Sequence, residues 1–488
     1  MAATYDLVIR DGKVGTASDI FTCDIGVKGG KIAALGHDLP KGEREIAAKG
    51  RLVLPGGIDA HIHLAQPLGF EAELADDFTS GTLSAICGGT TTIIPFAYQA
   101  KGQSLRAAVQ DYHKESDGKA YTDYAFHLII TDPTTTVLGQ ELPSLIEDGY
   151  TSFKLYMTYD QLKLNDRQII EILSLARRER AMSMIHAENT DMIAWLTDLL
   201  EGTGRTAPKF HGVSHSKLGE GEATHRAISL SEFIEVPILI VHVSSEEAVT
   251  EIRRAQTRGL RILAETCPQY LFLTADDMNP PDGHGARCVC SPPPRDKATQ
   301  EVLWKALANG TFSIVSSDHS PFSLMGPKGK YVCGPAAPFS KIPNGVPGVE
   351  TRLPLLMSEG VMKGRISLQQ FVALTATNVA NLYGLSNRKG SITVGADADL
   401  VVWNTDKDVK ITQSMLHHDC DYTPYEGMLV SAWPDVVTSR GDVVVEGGKP
   451  APGLSTKRGQ FLRCDRPDAA RPRPGVPGIE AQVAAMTP

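Results

Sequence analysis

The chain has 488 residues, 42% hydrophobic and 22% charged, with a formal net charge of −9; this is the make-up of a folded, water-soluble protein with room for a large domain and a smaller companion. An acidic balance offers no basic surface for gripping a phosphate backbone, which argues against nucleic acid as a partner. No apolar run approaches the roughly 18–20 residues of a membrane-spanning helix, and the opening text MAATYDLVIRDGK lacks the basic start and apolar middle of a secretion signal, so no membrane association and a cytoplasmic location are expected.

In chain order, the first segment reads as short strands punctuated by glycine, "YDLVIRDGKV" and "CDIGVKGGKIAAL". Similar β-branched text returns in "GADADLVVWN" from Gly395 and "DVVVEGGKP" from Asp442. Residues 1–54 and 390–455 are therefore expected to pair into one small β-sandwich, with residues 55–389 inserted between them. That insert alternates apolar strands ("RLVLPGGIDAHIHL", "TTTIIPFA", "YAFHLIIT", "SFKLYM", "SMIHAE", "PILIVHVS", "RILAETC", "FSIVSSDHS") with helical text. The clearest helices are predicted over 166–181, 222–234 and 245–259, the last ending on Gly259. Eight strand–helix units in a row predict a (β/α)₈ TIM-like barrel, whose functional groups gather at the C-terminal ends of the strands. Residues 456–488, ending in "DRPDAARPRPGVPGIEAQVAAMTP", read as an extended or partly disordered tail.

The strand ends carry the chemistry. "GGIDAHIHL" places His61 and His63 one residue apart, on one face of a strand; the fourth strand contains Lys154, the fifth ends in His186, the sixth in His242 and the eighth in Asp318. Imidazole and carboxylate groups suit zinc and similar divalent ions, and a barrel mouth lets ligands from separate strands meet. Any one of the 14 histidines is more often a satisfied core residue than a ligand; the pattern across strands is what points to metal. His113, His127, His284, His319, His417 and His418 do not share the placement and read as structural. Lys154 alone reads either as a buried ion-pair partner or as a catalytic group. The eight cysteines show no framework spacing and read as reduced thiols; Cys288 and Cys290 form a Cys-x-Cys pair with no second pair to complete a zinc site.

These motifs, with "DDFTSGTLSAICGGTTTIIPFA", "TSFKLYMTYD", "HAENTDMI", "VHVSS", "ETCPQYLFLT", "CSPPPR", "SSDHSPF" and "IPNGVPGVE" in one order, resemble the cyclic amidohydrolases of the dihydropyrimidinase and hydantoinase group, from about residue 5 to residue 450. The resemblance implies two divalent ions, zinc first with manganese or cobalt as alternatives: His61, His63 and Asp318 on the more buried one, His186 and His242 on the other, and a carbamylated Lys154 bridging them. It also implies that Asp318 shuttles a proton, that Tyr159 donates to the developing oxyanion, and that backbone groups of Ser291 and Asn344 hold the imide edge of a cyclic ureide. Leu68 and Phe70, with the region around Tyr156, are expected to form an apolar pocket for the ring substituent.

The implied reaction opens 5,6-dihydropyrimidines or 5-substituted hydantoins to N-carbamoyl amino acids. The implied assembly is a homotetramer or homodimer. Allantoinase or dihydroorotase chemistry is the alternative, although the loop after His63 holds no arginine for the carboxylate of dihydroorotate. A non-catalytic assembly protein on the same scaffold would have lost ligand positions, and here each is filled. "HGVSHSKLGEGEA" departs from the Ser-Arg-Pro-Pro text expected there, without touching a ligand position.

Overall fold

The computed structural model describes residues 3–67 and 71–486. Five strands open the chain: β1 (Tyr5–Gly15), β2 (Ile20–Lys28), β3 (Lys31–Gly36), β4 (Gly42–Ala47) and β5 (Leu52–Pro55). Nine follow in the central region: β6 (Gly57–Ile62), β7 (Thr90–Tyr98), β8 (Asp123–Tyr124), β9 (His127–Ile129), β10 (Ser152–Tyr156), β11 (Met182–His186), β12 (Ile238–Ile240), β13 (Ile262–Thr266) and β14 (Ile314–Val315). The last are β15 (Leu400–Asn404), β16 (Val409–Lys410), β17 (Leu429–Val430), β18 (Trp433–Ser439), β19 (Asp442–Glu446) and β20 (Lys449–Pro450).

The two ends of the chain do pair. They form one mixed sheet in the order β20-β19-β18-β15-β5-β1-β2-β3, with β4 on β1. β1 gives its first half to β4 and its second half to β5, on either side of a register shift between Ile9 and Gly12. The branched sheet thereby encloses an apolar core containing Leu7, Ile25, Ile46, Val53, Ala398 and Val402; this is how the expected sandwich is built. The run read as the first barrel strand is split between the two sheets: Leu52–Pro55 joins the small one and Gly57–Ile62 the barrel. Gly56 makes the crossing, where a Cβ would lie 2.2 Å from Thr91 Oγ1, so no side chain fits between the domains there.

The barrel strands run parallel in the order β14-β13-β12-β11-β10-β9-β7-β6, with β8 on β7. They are rich in isoleucine and almost wholly buried, as a parallel sheet covered by helices requires. Among the described residues the seam between first and last strands has one bridge, Ile62 to His319, and a buried arginine stitches it. Arg352 donates through Nη1 to Ile58 O (3.0 Å) and Val315 O (2.8 Å) and through Nη2 to Thr90 Oγ1 (3.0 Å), with Asp59 as its counter-charge at 3.4 Å. Asp59 Oδ1 accepts in turn from the backbone N–H of His61 (3.2 Å) and Ser317 (3.1 Å), which fixes His61 relative to the Asp318 segment.

The helices follow the expected stripes with informative shifts. Asp166–Glu179 is capped by Asn165 and Gln168 in a capping box and stops at Arg180 in the left-handed region (φ 57°). Lys217–Ile234 begins before the predicted residue 222, on the Ser216 cap. Gly219 and Gly221 weaken the helical text there, but Gly221 is needed: a Cβ would sit 2.7 Å from Glu247 Cβ on the next helix. Residues 456–486, read from the sequence as an extended or partly disordered tail, run along the barrel and end in a short helix, Ile479–Ala484, with Leu462 donating to Tyr124 O (2.7 Å), Cys464 to Gly149 O (3.1 Å) and Arg473 ion-paired with Glu235 (2.5 Å).

Where the mixed sheet meets the barrel, buried Lys389 bridges Asp123 (2.8 Å), Asp397 (3.1 Å) and Asp399 (2.6 Å). Burial works to raise the Asp397 carboxyl, but Lys389 and Lys31 outweigh it and hold it below its ordinary range. Its contribution is therefore present above the ordinary carboxylate pKa and is lost as pH falls through the lowered one. Lys389→Met leaves three carboxylates without their shared cation; we expect a loss of about 3–5 kcal/mol in stability, read as a lower denaturant midpoint at neutral pH.

Candidate functional site

His61 belongs to β6 and His63 follows it, Lys154 lies within β10, and His186 ends β11. His242 sits two residues past β12 and Asp318 three past β14, so five segments contribute from the C-terminal end of the barrel. With Tyr159, Ser291 and Asn344 they line one cavity of about 540 Å³. His242 (φ 39°), Asp318 (φ 47°) and Tyr159 (φ 66°) all occupy the left-handed backbone region, which non-glycine residues adopt at a cost; such strain concentrates where side chains must be aimed.

The side chains converge closely. His61 Nε2 lies 3.0 Å from Lys154 Nζ and 3.2 Å from Asp318 Oδ1, and His63 Nε2 lies 3.4 Å from the same oxygen. One ligand atom from each of His61, His63 and Asp318 lies within 4.8 Å of the other two. Across the cavity, His242 Nε2 faces His186 Nδ1 at 2.9 Å. Phe96 of β7 packs against both rings of the His-x-His pair, 5.0 Å and 4.9 Å between centroids.

What lies behind each imidazole decides which nitrogen is free. His61 Nδ1 donates to Glu265 Oε1 (2.6 Å), His63 Nδ1 to Gln66 Oε1 (2.8 Å) and His186 Nε2 to Glu188 Oε2 (2.7 Å). A neutral imidazole with its proton so committed presents a lone pair at the other nitrogen. All three lone pairs point inward. Burial keeps His61 and His242 far below the ordinary histidine pKa and lowers His186 as well, so the rings are uncharged at neutral pH. Burial would raise the Asp318 carboxyl, but His61 and His63 prevail and it stays below the usual carboxylate range. Fully buried Lys154 is lowered by desolvation to about 8. Neutral imidazoles with inward lone pairs and an ionised carboxylate are the donor set of a divalent cation site, and the hydrogen bonds behind them are those that orient metal ligands.

Tyr159 is partly buried and accepts a hydrogen bond from Asn344 Nδ2 (3.2 Å). Burial, with the Glu188 carboxylate nearby, raises its pKa, so the phenol remains a donor. Asn344 Oδ1 is buried with no partner among the described residues. Tyr156 lines the cavity; Leu68 and Phe70 lie outside the described residues. The other histidines have structural partners: His127 with Ser152 (2.6 Å) and Ala60 O (3.0 Å), His319 with Asp76 (2.9 Å), His113 with Tyr150 (2.7 Å), His284 with Tyr331 (3.3 Å) and His417 with Glu350 (2.9 Å). His418 is buried near His319. Cys288 and Cys290 are buried thiols outside any group of three metal-ligand side chains among the described residues. Cys87, Glu350 and His417 do form such a group, but Glu350 is already satisfied by Ser84 (3.0 Å) and by the backbone and ring of His417 (both 2.9 Å).

Glu188 and Glu265 escaped the sequence reading as functional residues. Glu188 holds His186, accepts from His215 Nδ1 (2.8 Å) and receives Ser291 Oγ (2.5 Å), joining the cavity's two sides. The signal was present: each is a carboxylate in or beside a largely buried strand, "SMIHAE" and "RILAETC", and a buried carboxylate demands partners.

Comparison with known proteins points the same way. Residues 52–444 match the amidohydrolase family. A D-hydantoinase from Rhizobium radiobacter is 43% identical over 461 residues, 93% of this chain and 99% of that protein. One from Geobacillus stearothermophilus is 43% identical over 461 residues, 93% and 97% of the two chains. The crystal structure of dihydropyrimidinase from Brevibacillus agri NCHU1002 superposes with a TM-score of 0.91 at 40% identity, covering 94% of this chain and 99% of that one.

If Glu265 fixes the lone pair of His61, Glu265→Gln should weaken zinc binding about 10–100-fold, measured by competition with a chromophoric chelator. Unchanged affinity would remove Glu265 from the site.

Proposed function

This chain belongs to the amidohydrolase family and is a hydrolase of cyclic amides; from that premise we propose that it opens the ring amide of 5,6-dihydropyrimidines and 5-substituted hydantoins to give N-carbamoyl amino acids. The observation that carries this reading is the inward-facing set of lone pairs on His61, His63 and His186 beside an ionised Asp318. A mainly apolar cavity of about 540 Å³ is sized for a small ring with a substituent.

We assign His61, His63 and Asp318 to one divalent ion and His186 and His242 to a second, zinc being the cation the donor set suits best and manganese or cobalt its alternatives. When bound, such a pair polarises a carbonyl and makes water a competent nucleophile near neutral pH. Lys154, carbamylated by carbon dioxide, would turn a positive side chain into a carboxylate between the two cations, where an ammonium would add to their repulsion.

The chain's own groups do the rest. Asp318, ionised and aimed into the cavity, takes a proton from the attacking water and returns it to the departing ring nitrogen, acting first as base and then as acid. Tyr159 donates a hydrogen bond from its phenol to the carbonyl oxygen as charge develops there. The backbones of Ser291 and Asn344 hold the imide edge, whose paired donor and acceptor match main-chain groups. No arginine is among the described residues lining the cavity, so the carboxylate of dihydroorotate would lack its natural partner.

The domain plan is a small β domain from 1–54 and 390–455, a barrel over 55–389 and the tail from 456. A homodimer or homotetramer is favoured by exposed apolar side chains on the helices Thr190–Gly202 and Lys217–Ile234, where Trp195 and Leu218 are each 66% exposed; a second copy of this chain would cover them. A cytoplasmic setting agrees with eight cysteines that remain free thiols.

Metal-loaded protein offered 5,6-dihydrouracil and a 5-substituted hydantoin should release the N-carbamoyl product from at least one, followed by chromatography. Tyr159→Phe should lower kcat about 10²–10³-fold. A wild-type enzyme that opens neither ring would refute the substrate class.

A further inference from the structure

Lys330 is a fully buried cation that the site as described does not use. It is 1% exposed, and among the described residues no carboxylate lies within ion-pair distance of it. Its ammonium instead donates to three main-chain carbonyls: Val289 (2.8 Å), Pro343 (2.7 Å) and Gly345 (2.6 Å). An ammonium has three donors, and all three are spent. A charge buried without a counter-charge is costly, and the fold tolerates this one by converging carbonyls on it.

The positions of those carbonyls are telling. Val289 precedes Ser291 by two residues in the connection after β13, while Pro343 and Gly345 flank Asn344 in the connection after β14. Both stretches are irregular, so no sheet ladder sets their separation. The direct main-chain link is one hydrogen bond, Gly345 N–H to Val289 O (3.0 Å), and Lys330 grips that same Val289 oxygen. Lys330 is itself anchored, its N–H donating to Ser323 O (2.8 Å). Asn344 also carries the contact to Tyr159, so its placement bears on both recognition and the phenol.

We propose that Lys330 is a positioning residue for substrate recognition, setting the backbone of Ser291 against that of Asn344 so that both meet the imide edge of the ring. This rests on the assignment of ring recognition to those two backbones. Lys330 touches neither substrate nor any residue assigned to a metal. Removing its cation leaves three carbonyls crowded without their shared donor and frees the two segments to drift apart. Ground-state binding of the ring then suffers more than turnover, and metal binding does not suffer at all.

The test uses full-length, metal-loaded wild type, Lys330→Met and Lys330→Gln, assayed on 5,6-dihydrouracil and a 5-substituted hydantoin, with metal per chain measured on the same samples. We expect KM to rise about tenfold or more in Lys330→Met with a smaller fall in kcat and unchanged metal content; Lys330→Gln, which keeps two N–H donors, should fall between that variant and wild type. A purely structural role would lower the unfolding temperature and the active fraction, hence kcat, while leaving KM in place. Unchanged KM in either soluble variant overturns the proposal; should Lys330→Met fail to fold, Lys330→Gln decides alone. Inactive wild type is a separate result, refuting the substrate reading and taking this inference down with it.

Discussion

The site depends on one constraint: an imidazole that gives its single proton to an acceptor on one side must present a lone pair on the other. Glu265 imposes this on His61, Gln66 on His63 and Glu188 on His186. Burial strengthens it at His61 and His186, where desolvation disfavours the charged ring. Without these acceptors the same histidines could rotate, change tautomer or charge, and the inward-facing nitrogens would not be available together.

The barrel's architecture serves that constraint by bringing distant segments within hydrogen-bond range. At the seam, where among the described residues a single bridge joins Ile62 to His319, His61 must nonetheless keep register with Asp318. Arg352 and Asp59 fill that role through carbonyls and N–H groups on both sides. Backbone strain at His242, Asp318 and Tyr159 shows the same priority: the surrounding packing holds these residues in an unfavourable conformation so that their side chains reach the cavity.

Much of this was legible in the amino-acid text. Strand periodicity and the recurrence of Gly-punctuated β text at both ends foretold the barrel and the sheet that unites the termini, and ligand-type residues at strand ends foretold the cluster. Boundaries were less legible. One apolar run serves two sheets because Gly56 permits a crossing that hydropathy cannot register, and the helix from Lys217 starts early because Ser216 caps it despite two glycines. Glu265 was visible as a letter but not as a partner, since its hydrogen bond to His61 joins chain positions far apart; Glu188 is two residues from His186, but it lies past the strand end, where strand alternation no longer says which way a side chain points. Lys330 was invisible for a related reason: its partners are carbonyl oxygens, which every residue has, so no pattern of side chains announces them.

The proposed placing of ligands from five segments around a pair of cations at the mouth of the barrel can be read by diffraction from crystals of zinc-loaded protein, recorded on both sides of the zinc absorption edge. It predicts two anomalous peaks, one among His61, His63 and Asp318 and one between His186 and His242. No peak at the barrel mouth, or zinc held only elsewhere on the chain, would contradict it.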